Sequence, residues 1–146
     1  MTLTPHPGID AESFVVVLRW PDAALHHNHR GLTVRRGRGK VWSAKGDAVR
    51  SARSMAHAEA VAVLGGQAPP RWSEFMVSLH FGPKPPDRKG KCPDGKNLDE
   101  ACKAYIDGLQ DAGIMANDSG MRAWGGCWDI TVQPGMVRIV VQNCFT

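Results

Sequence analysis

The strongest constraint on the fold is the alternation of short β-branched apolar runs with two longer segments of helical spacing. SFVVVLRW, residues 13–20, contains a β-branched apolar run and is stopped by Pro21, which predicts a buried strand. EFMVSLHF, residues 74–81, alternates apolar and polar side chains, which predicts a half-buried strand. Between these runs an Ala-rich stretch predicts a helix that begins after Ser43 and stops at Gly65.

The remaining segments complete the order of elements. TVRRGRGKV resembles a short hairpin, and the runs GCWDITVQ and MVRIVVQ predict two C-terminal strands joined by a turn at Pro134-Gly135. The predicted order is therefore strand, hairpin, helix, strand, helix, strand, strand. This order indicates an α+β fold, with a mixed β-sheet packed against two main helices. A chain of 146 residues fits one domain, residues 1–146.

Positive charge is concentrated in the first third of the chain. The whole sequence carries a formal net charge of +4, but nine basic residues lie between Arg19 and Arg53 against only Asp22 and Asp47. Such a surface favours a polyanionic partner, although many basic clusters only keep a protein soluble. Trp42 can stack on a base, but a Trp between a strand and a helix is more often part of the core.

Several classes of site and location are disfavoured. The four cysteines form no CxxC pair, and the His26, His27 and His29 group has no acidic or Cys partner nearby, so neither pattern favours zinc. No apolar run approaches membrane-spanning length, and the N-terminal stretch lacks the features of a signal peptide. These features predict a cytoplasmic protein with reduced thiols and no membrane partner.

The segment NLDEACKAYIDGLQDAGIMANDS, residues 97–119, carries the most informative chemistry. It predicts a helix that ends at Gly113, with Asp99 and Lys103 one turn apart on its surface. Asp118 can approach them only if the segment NDSG folds back. In that case carboxylates converge beside an ammonium group, an arrangement that suits Mg²⁺ or Mn²⁺.

An ordinary surface helix explains the same residues. Asn97 and Glu100 have the spacing of a capping box, and Asp99 favours the positive end of the helix. Asp99 and Lys103 are also spaced as a routine surface ion pair. Spacing alone does not separate this interpretation from a metal site.

The same segment resembles the signature of the RusA-type Holliday-junction resolvases, endonucleases of bacteria and their phages. That signature reads Asp-x-Asp-Asn-x-x-Lys-x-x-Leu-Asp-x-Leu, followed by Ala-Gly and an Asp-Asp pair. Without a gap, Asn97 stands at its first Asp, Asp99 at its second and Lys103 at its Lys. Asn117-Asp118 stands at the Asp-Asp pair. WPDAALHHNHRG, the following Trp and basic helix, and FGPKPPDRKGK are similar to other parts of the family pattern, so the resemblance spans nearly the whole chain.

The resemblance implies a RusA-like fold and a homodimer that resolves branched DNA, such as a four-way junction, by paired symmetric nicks. It implies Mg²⁺, with Mn²⁺ as a substitute, bound by Asp99, Asp118 and the residue at position 97, with Lys103 assisting catalysis. The location would be the cytoplasm of a bacterial or phage-infected cell. DNA contacts are expected from a set of polar and basic residues in the N-terminal third and in the loop before the motif: Asn28, Arg30, Arg35, Arg36, Arg38, Lys40, Lys45, Arg88 and Lys89.

Asn97 departs from the family pattern, because an amide is a weaker metal ligand than a carboxylate. Glu100 or Asp94 can compensate, or the site is impaired by Asn97, whether that residue is natural or introduced. The alternative function is therefore a catalytically impaired or non-catalytic branched-DNA-binding protein of the same fold. A third possibility is a basic structural or partner-binding protein without a nucleic-acid role.

Overall fold

The computed structural model describes residues 6–21, 33–36, 40–83 and 101–144, and only the backbone of residues 33–36 and 40–45. Within these ranges the elements follow the predicted order, preceded by one short additional strand. The strands are β1 (Gly8–Ile9), β2 (Ser13–Arg19), β3 (Thr33–Arg36), β4 (Lys40–Ser43), β5 (Phe75–Phe81), β6 (Met121–Trp128) and β7 (Met136–Asn143). The α-helices are α1 (Ala44–Leu64) and α2 (Lys103–Asp111).

Five strands form a mixed sheet in the order β1-β2-β7-β5-β6. Strand β7 runs antiparallel to both β2 and β5, while β5 and β6 are parallel. β3 and β4 form a separate antiparallel hairpin, as predicted. The domain is therefore α+β with a mixed sheet and two helices in its described part, as the sequence indicated.

Alternate side chains of the strands bury one face of the sheet against the helices. Phe75, Val77, Leu79 and Phe81 of β5 are buried, which confirms the predicted alternation. The continuous apolar run of β2 is buried at Phe14 through Val16 and at Leu18. On the helices the buried members are mainly small residues of α1 and larger residues of α2: Ala52, Ala56, Ala60, Leu64, Tyr105, Ile106 and Leu109.

The two helices approach closely at Gly108 of α2. A Cβ atom at this position would overlap the carbonyl oxygen of Arg53 and lie 2.8 Å from the Cβ of Ala56. Small residues on both helices thus allow backbone contact, which fixes the spacing between the charged side chains that project from them. Neither helix in the described part of the chain is long and apolar enough to cross a membrane.

The C-terminal strands differ from the prediction in extent and in pairing. The run GCWDITVQ was expected to be a strand, but β6 spans Met121–Trp128 and the chain turns after it. The carboxylate of Asp129 accepts a hydrogen bond from the backbone N–H of Thr131 at 2.9 Å, which favours a turn over a continued strand. The turn at Pro134-Gly135 is present, with a φ of 77° at Gly135, but β6 and β7 lie on either side of β5.

Candidate functional site

Lys103, Asp107 and Asp118 form a charged cluster on the surface beside α2. The Nζ of Lys103 donates to Oδ2 of Asp118 at 2.8 Å and to Oδ1 of Asp107 at 2.9 Å. Both Lys103 and Asp118 keep 48% of their side-chain area exposed, and Asp107 keeps 28%. Two carboxylates from different elements therefore converge on one cation while remaining open to solvent.

The C-terminus of α2 turns the chain back towards this cluster. The N–H of Gly113 donates to the carbonyl of Gln110 at 2.9 Å, and that of Ile114 to the carbonyl of Leu109 at 3.1 Å. This pair of bonds is a Schellman motif, and Gly113 has the φ of 86° that the motif requires. The predicted helix end at Gly113 is confirmed.

A short 3₁₀ turn, Asp118–Gly120, then presents the Asp118 carboxylate. Asn117 caps this turn, since its Oδ1 accepts from the N–H of Ser119 at 3.2 Å. Gly120 packs so tightly against the backbone of Ser73 that a Cβ would overlap the Ser73 carbonyl. The segment NDSG therefore folds back, as the approach of Asp118 to Lys103 requires.

The electrostatics of the cluster keep Lys103 charged. Burial lowers the pKa of the Lys103 ammonium, but the hydrogen bonds that it donates to Asp118 and Asp107 and the charges of these carboxylates outweigh this effect, and the pKa rises above its ordinary value. The ammonium is thus fully protonated at neutral pH. It can hold an anionic group or neutralise developing negative charge.

The described structure brings together two of the four predicted catalytic residues, Lys103 and Asp118. Asn97 and Asp99 lie outside the described residues, as do the alternative ligands Asp94 and Glu100. The sequence interpretation passed over Asp107 as a candidate ligand. Its signal was the spacing of four from Lys103, which places both side chains on one helix face.

The predicted DNA contacts fall mostly outside what the structure describes. Arg35 and Arg36 lie on β3 and Lys40 on β4, so the hairpin carries basic positions, and Lys45 lies in the first turn of α1. The side chains of these four residues are outside the description. The remaining members of the set also lie outside the described residues: Asn28, Arg30, Arg38, Arg88 and Lys89.

Arg53 of α1 pairs with Asp111 of α2 beside this cluster. Arg53 Nε donates to Oδ2 of Asp111 at 2.5 Å, and Nη2 donates to Oδ1 at 2.7 Å. The hydrogen bonds that Arg53 donates to Asp111, together with the charge of Asp111, raise the pKa of the Arg53 guanidinium, and the charges of Asp107 and Asp118 add to this effect. The two groups of charges therefore lie in one electrostatic neighbourhood.

A second charged cluster lies on the sheet face opposite the helices, and the sequence interpretation missed it. Asp129 Oδ2 accepts from Nη2 of Arg138 at 2.8 Å and lies 3.2 Å from Nδ1 of His80. The Arg138 side chain is only 6% exposed. Hydrogen bonds from Thr131 lower the pKa of the Asp129 carboxyl, with smaller contributions from the charges of Arg138 and His80.

The donor groups of the described residues set the capacity of this surface to bind a metal ion. Among residues 6–21, 46–83 and 101–144, no three His, Cys, Asp or Glu side chains group as a metal site. Asp107 and Asp118 nevertheless bind one cation between them, the Lys103 ammonium, so their oxygens suit a cation in charge and type. A third carboxylate would have to come from outside these ranges.

No protein-family model matches this chain, and no curated protein matches it either.

Proposed function

We propose that this protein is a metal-dependent, structure-selective DNA endonuclease that resolves Holliday junctions and other branched DNA by paired symmetric nicks. The observation that carries the proposal is the convergence of Lys103, Asp107 and Asp118 within the segment that resembles the RusA-type signature. Two of these residues, Lys103 and Asp118, were singled out from the sequence although they are fifteen residues apart. A surface helix without a functional site does not require Lys103 and Asp118 to be in contact.

Asp118 and Asp99 would hold Mg²⁺ or Mn²⁺, with Asn97 as a neutral third ligand and Asp107 as a further carboxylate from the helix. When bound, such a cation lowers the pKa of a water molecule and stabilises charge on a phosphate. Hydrolysis joins the water oxygen to phosphorus while one P–O ester bond breaks and the leaving oxygen gains a proton. The protein contributes the positions of the carboxylates, which α2 and the 3₁₀ turn Asp118–Gly120 fix relative to each other.

Lys103 has a separate role in this proposal. Its ammonium lies against Asp118, so it is within reach of a phosphate oxygen held at the same carboxylate. A fixed positive charge at that point neutralises charge that develops on the phosphate during hydrolysis. Entry of a phosphate and a cation requires Lys103 to exchange a carboxylate for the phosphate, which its exposure allows.

The proposal includes a homodimer, because two symmetric nicks across a four-way junction are best made by two copies of one site. The predicted basic residues of the β3–β4 hairpin and of the flanking segments supply phosphate contacts that do not depend on sequence. The proposed location is the cytoplasm of a bacterial or phage-infected cell. Light scattering at micromolar concentration tests the dimer directly, and a monomer mass would contradict it.

A junction-cleavage assay tests the activity. The protein, with Mg²⁺ or Mn²⁺, should nick a four-way junction, and Asp118→Asn should lower the rate at least about a hundredfold, as expected for loss of a metal ligand. Glu59→Gln is the matched control, since Glu59 is an exposed carboxylate of α1 remote in sequence from the cluster, and it should cleave normally. Equal cutting of linear duplex would contradict junction selectivity.

The second candidate is a non-catalytic branched-DNA-binding protein of the same fold. It is favoured by the neutral Asn97 and by the ammonium of Lys103, which offsets one of the two negative charges of Asp107 and Asp118. This candidate predicts salt-sensitive junction binding without cleavage. An Asn97→Asp variant that gains cleavage would show that one missing carboxylate impaired the site, whereas a variant that stays inactive favours binding alone.

A further inference from the structure

An open groove lies beside the charged cluster, between α1 and α2. It has a volume of about 380 Å³ and is lined by Arg50, Arg53, Ser54, His57 and Asp111. The first four residues follow the spacing i, i+3, i+4 and i+7, so they form one stripe along α1. Two arginines, an imidazole and a hydroxyl thus face a single carboxylate. We refer to this surface as the α1–α2 groove.

Asp111 holds the guanidinium of Arg53 in a fixed orientation. The two hydrogen bonds use Nε and Nη2, which lie on one side of the planar guanidinium. Within the described part of the chain, Nη1 of Arg53 makes no hydrogen bond to another side chain. A guanidinium held in this way has its remaining donors oriented before a ligand arrives, which lowers the entropic cost of binding.

Arg50 gives the groove a more exposed cation. Its side chain is 73% exposed and, among the described residues, pairs with Asp47 one turn earlier on the same helix. An exposed pair of this kind exchanges readily with another anion, because it contributes little to stability in water. The groove therefore combines one oriented guanidinium, one more exposed guanidinium and the hydroxyl of Ser54.

The groove continues into the charged cluster along α2. Asp111 lies one helical turn after Asp107, which binds Lys103. The groove and the cluster are therefore adjacent along α2, and the charges of Asp107 and Asp118 also act on the Arg53 guanidinium. A polyanion that reaches Lys103 from this side must pass the cations of the groove.

We propose that the α1–α2 groove binds the phosphodiester backbone of the DNA strand that enters the charged cluster. This inference rests on the proposed function and extends it to residues outside the predicted DNA contacts: Arg50, Arg53, Ser54 and His57. Guanidinium groups bind phosphate oxygens through directed hydrogen bonds, and a serine hydroxyl adds a donor. The groove is open along the surface rather than closed around one anion, and Asp111 in its lining lies one helical turn from Asp107 of the cluster, which suits a continuous strand better than free phosphate.

Junction binding measured by fluorescence anisotropy in EDTA tests the groove without cleavage. Titrations at several NaCl concentrations give the slope of log affinity against log salt, which is about 0.9 for each phosphate neutralised in duplex DNA. Arg50→Gln combined with Arg53→Gln should lower the slope by about 1 to 2 and weaken binding roughly 10- to 100-fold at low salt. Arg122→Gln is the matched control, because Arg122 is a similarly exposed arginine paired with Glu74 outside the groove.

Asp111→Asn separates phosphate binding from a purely structural role of the ion pair. The variant removes the competing carboxylate but keeps Arg53, so the proposal predicts junction affinity equal to or up to about threefold tighter than wild type. A structural role predicts that Asp111→Asn and Arg53→Gln weaken binding alike. Urea denaturation of each variant verifies that the folded state is populated under the binding conditions.

The remaining outcomes are distinct. If groove variants keep the wild-type salt slope of binding and the protein cleaves junctions, the proposed role of the groove is wrong and the proposed nuclease activity stands. If groove variants have a reduced salt slope of binding but the protein does not cleave junctions, phosphate binding by the groove is supported and the proposed nuclease activity is wrong. Displacement of the junction by inorganic phosphate, beyond the effect of chloride at equal ionic strength, would identify a free-anion site instead. Absence of junction binding at low salt overturns both proposals.

Discussion

The Lys103–Asp107–Asp118 cluster and the His80–Asp129–Arg138 cluster contain similar groups at very different depths. Lys103 and Asp118 each keep 48% of their side-chain area exposed. In the second cluster Asp129 keeps 18% and Arg138 only 6%. One cluster joins α2 to a turn on the helix side of the domain, and the other joins strand β7 to the turn after β6 on the opposite face of the sheet.

This difference in burial separates the roles of the clusters. Exposed ion pairs contribute little to stability, because water screens the charges and holding two long side chains costs entropy. Removing one partner of a buried pair leaves a charge without compensation, which is costly. The buried cluster should therefore matter for folding, whereas the exposed cluster is free to exchange its partners for a substrate. The free energy of unfolding after single substitutions measures this contrast.

The largest effect is expected from Arg138→Ala. The substitution removes a buried guanidinium and leaves the half-buried Asp129 carboxylate without this partner, and we expect a loss of about 3 kcal/mol. Urea denaturation followed by far-ultraviolet circular dichroism measures the change. Arg50→Ala is the control for an exposed paired arginine and should lose less than about 0.5 kcal/mol. Equal losses in the two variants would remove the distinction between the clusters.

The next effect is expected from Gly108→Ala, which changes the packing beneath the exposed cluster. The added methyl group meets the backbone of Arg53 and the Cβ of Ala56, so α1 and α2 must separate, at a cost of about 1–3 kcal/mol. Gly125→Ala is the control, because a Cβ there meets no atom within 4 Å. Unchanged stability of Gly108→Ala would show that helix spacing is not set by this contact.

Helices and strands were predictable where a single segment contains the apolar pattern or the capping residues that define the element. Uninterrupted or alternating apolar side chains located β2, β5 and β7, and the capping residues Ser43 and Gly65 located α1. Strand β6 was misplaced because its first five residues, MRAWG, have no clear alternation. The strand lies at the edge of the sheet, and seven of its eight residues are exposed. Because apolar residues follow Trp128, the strand was predicted to continue into a segment that forms a turn.

The candidate site was predictable only in part, and for a related reason. Lys103 and Asp118 were found through the family-like spacing, which carries information that local propensity lacks. Asp107 matches the Asp of the Leu-Asp-x-Leu run in the signature but was not predicted as a ligand, because Asp99, on the other side of Lys103, has the same spacing of four and matched the expected ligand. The buried cluster was missed altogether, because His80 and Asp129 meet only through the pairing of β5 with its neighbours. Long-range contacts of this kind leave no periodic signal in the sequence.

Acid titration tests the contributions of the Asp129 and Asp111 carboxyls to stability. Both pKa values lie below the ordinary range, that of Asp129 mainly through Thr131 and that of Asp111 mainly through Arg53. A lowered pKa stabilises the folded state above the unfolded pKa, near 4, and the contribution is lost as pH falls below about 4 through the folded value. Asp129→Asn and Asp111→Asn should each flatten the loss of stability in this window.

Salt should separate the two acid-sensitive contributions. At about 1 M NaCl the Debye length is roughly 3 Å, which screens exposed charges far more than buried ones. The contribution of Asp111, which is 37% exposed, should shrink in salt, and that of Asp129 should persist. The free energy of unfolding, measured between pH 2 and 5 at low and high salt, checks this expectation. The pH at which each contribution is lost is expected to within about one pH unit. Equal salt sensitivity would contradict the assigned difference in burial.

The smallest change in stability is expected from Lys103→Gln, although the proposed function predicts a large change in cleavage. Gln can still donate to one carboxylate and keeps much of the aliphatic contact, so the free energy of unfolding should fall by less than about 1 kcal/mol. Junction cleavage should fall about 10- to 100-fold, since the charge that neutralises the phosphate is lost. Lys103→Arg retains the charge and should recover part of the rate. If Lys103→Gln loses several kcal/mol of stability, Lys103 has a structural role like that of Arg138. The functional contrast between the two clusters would then be wrong.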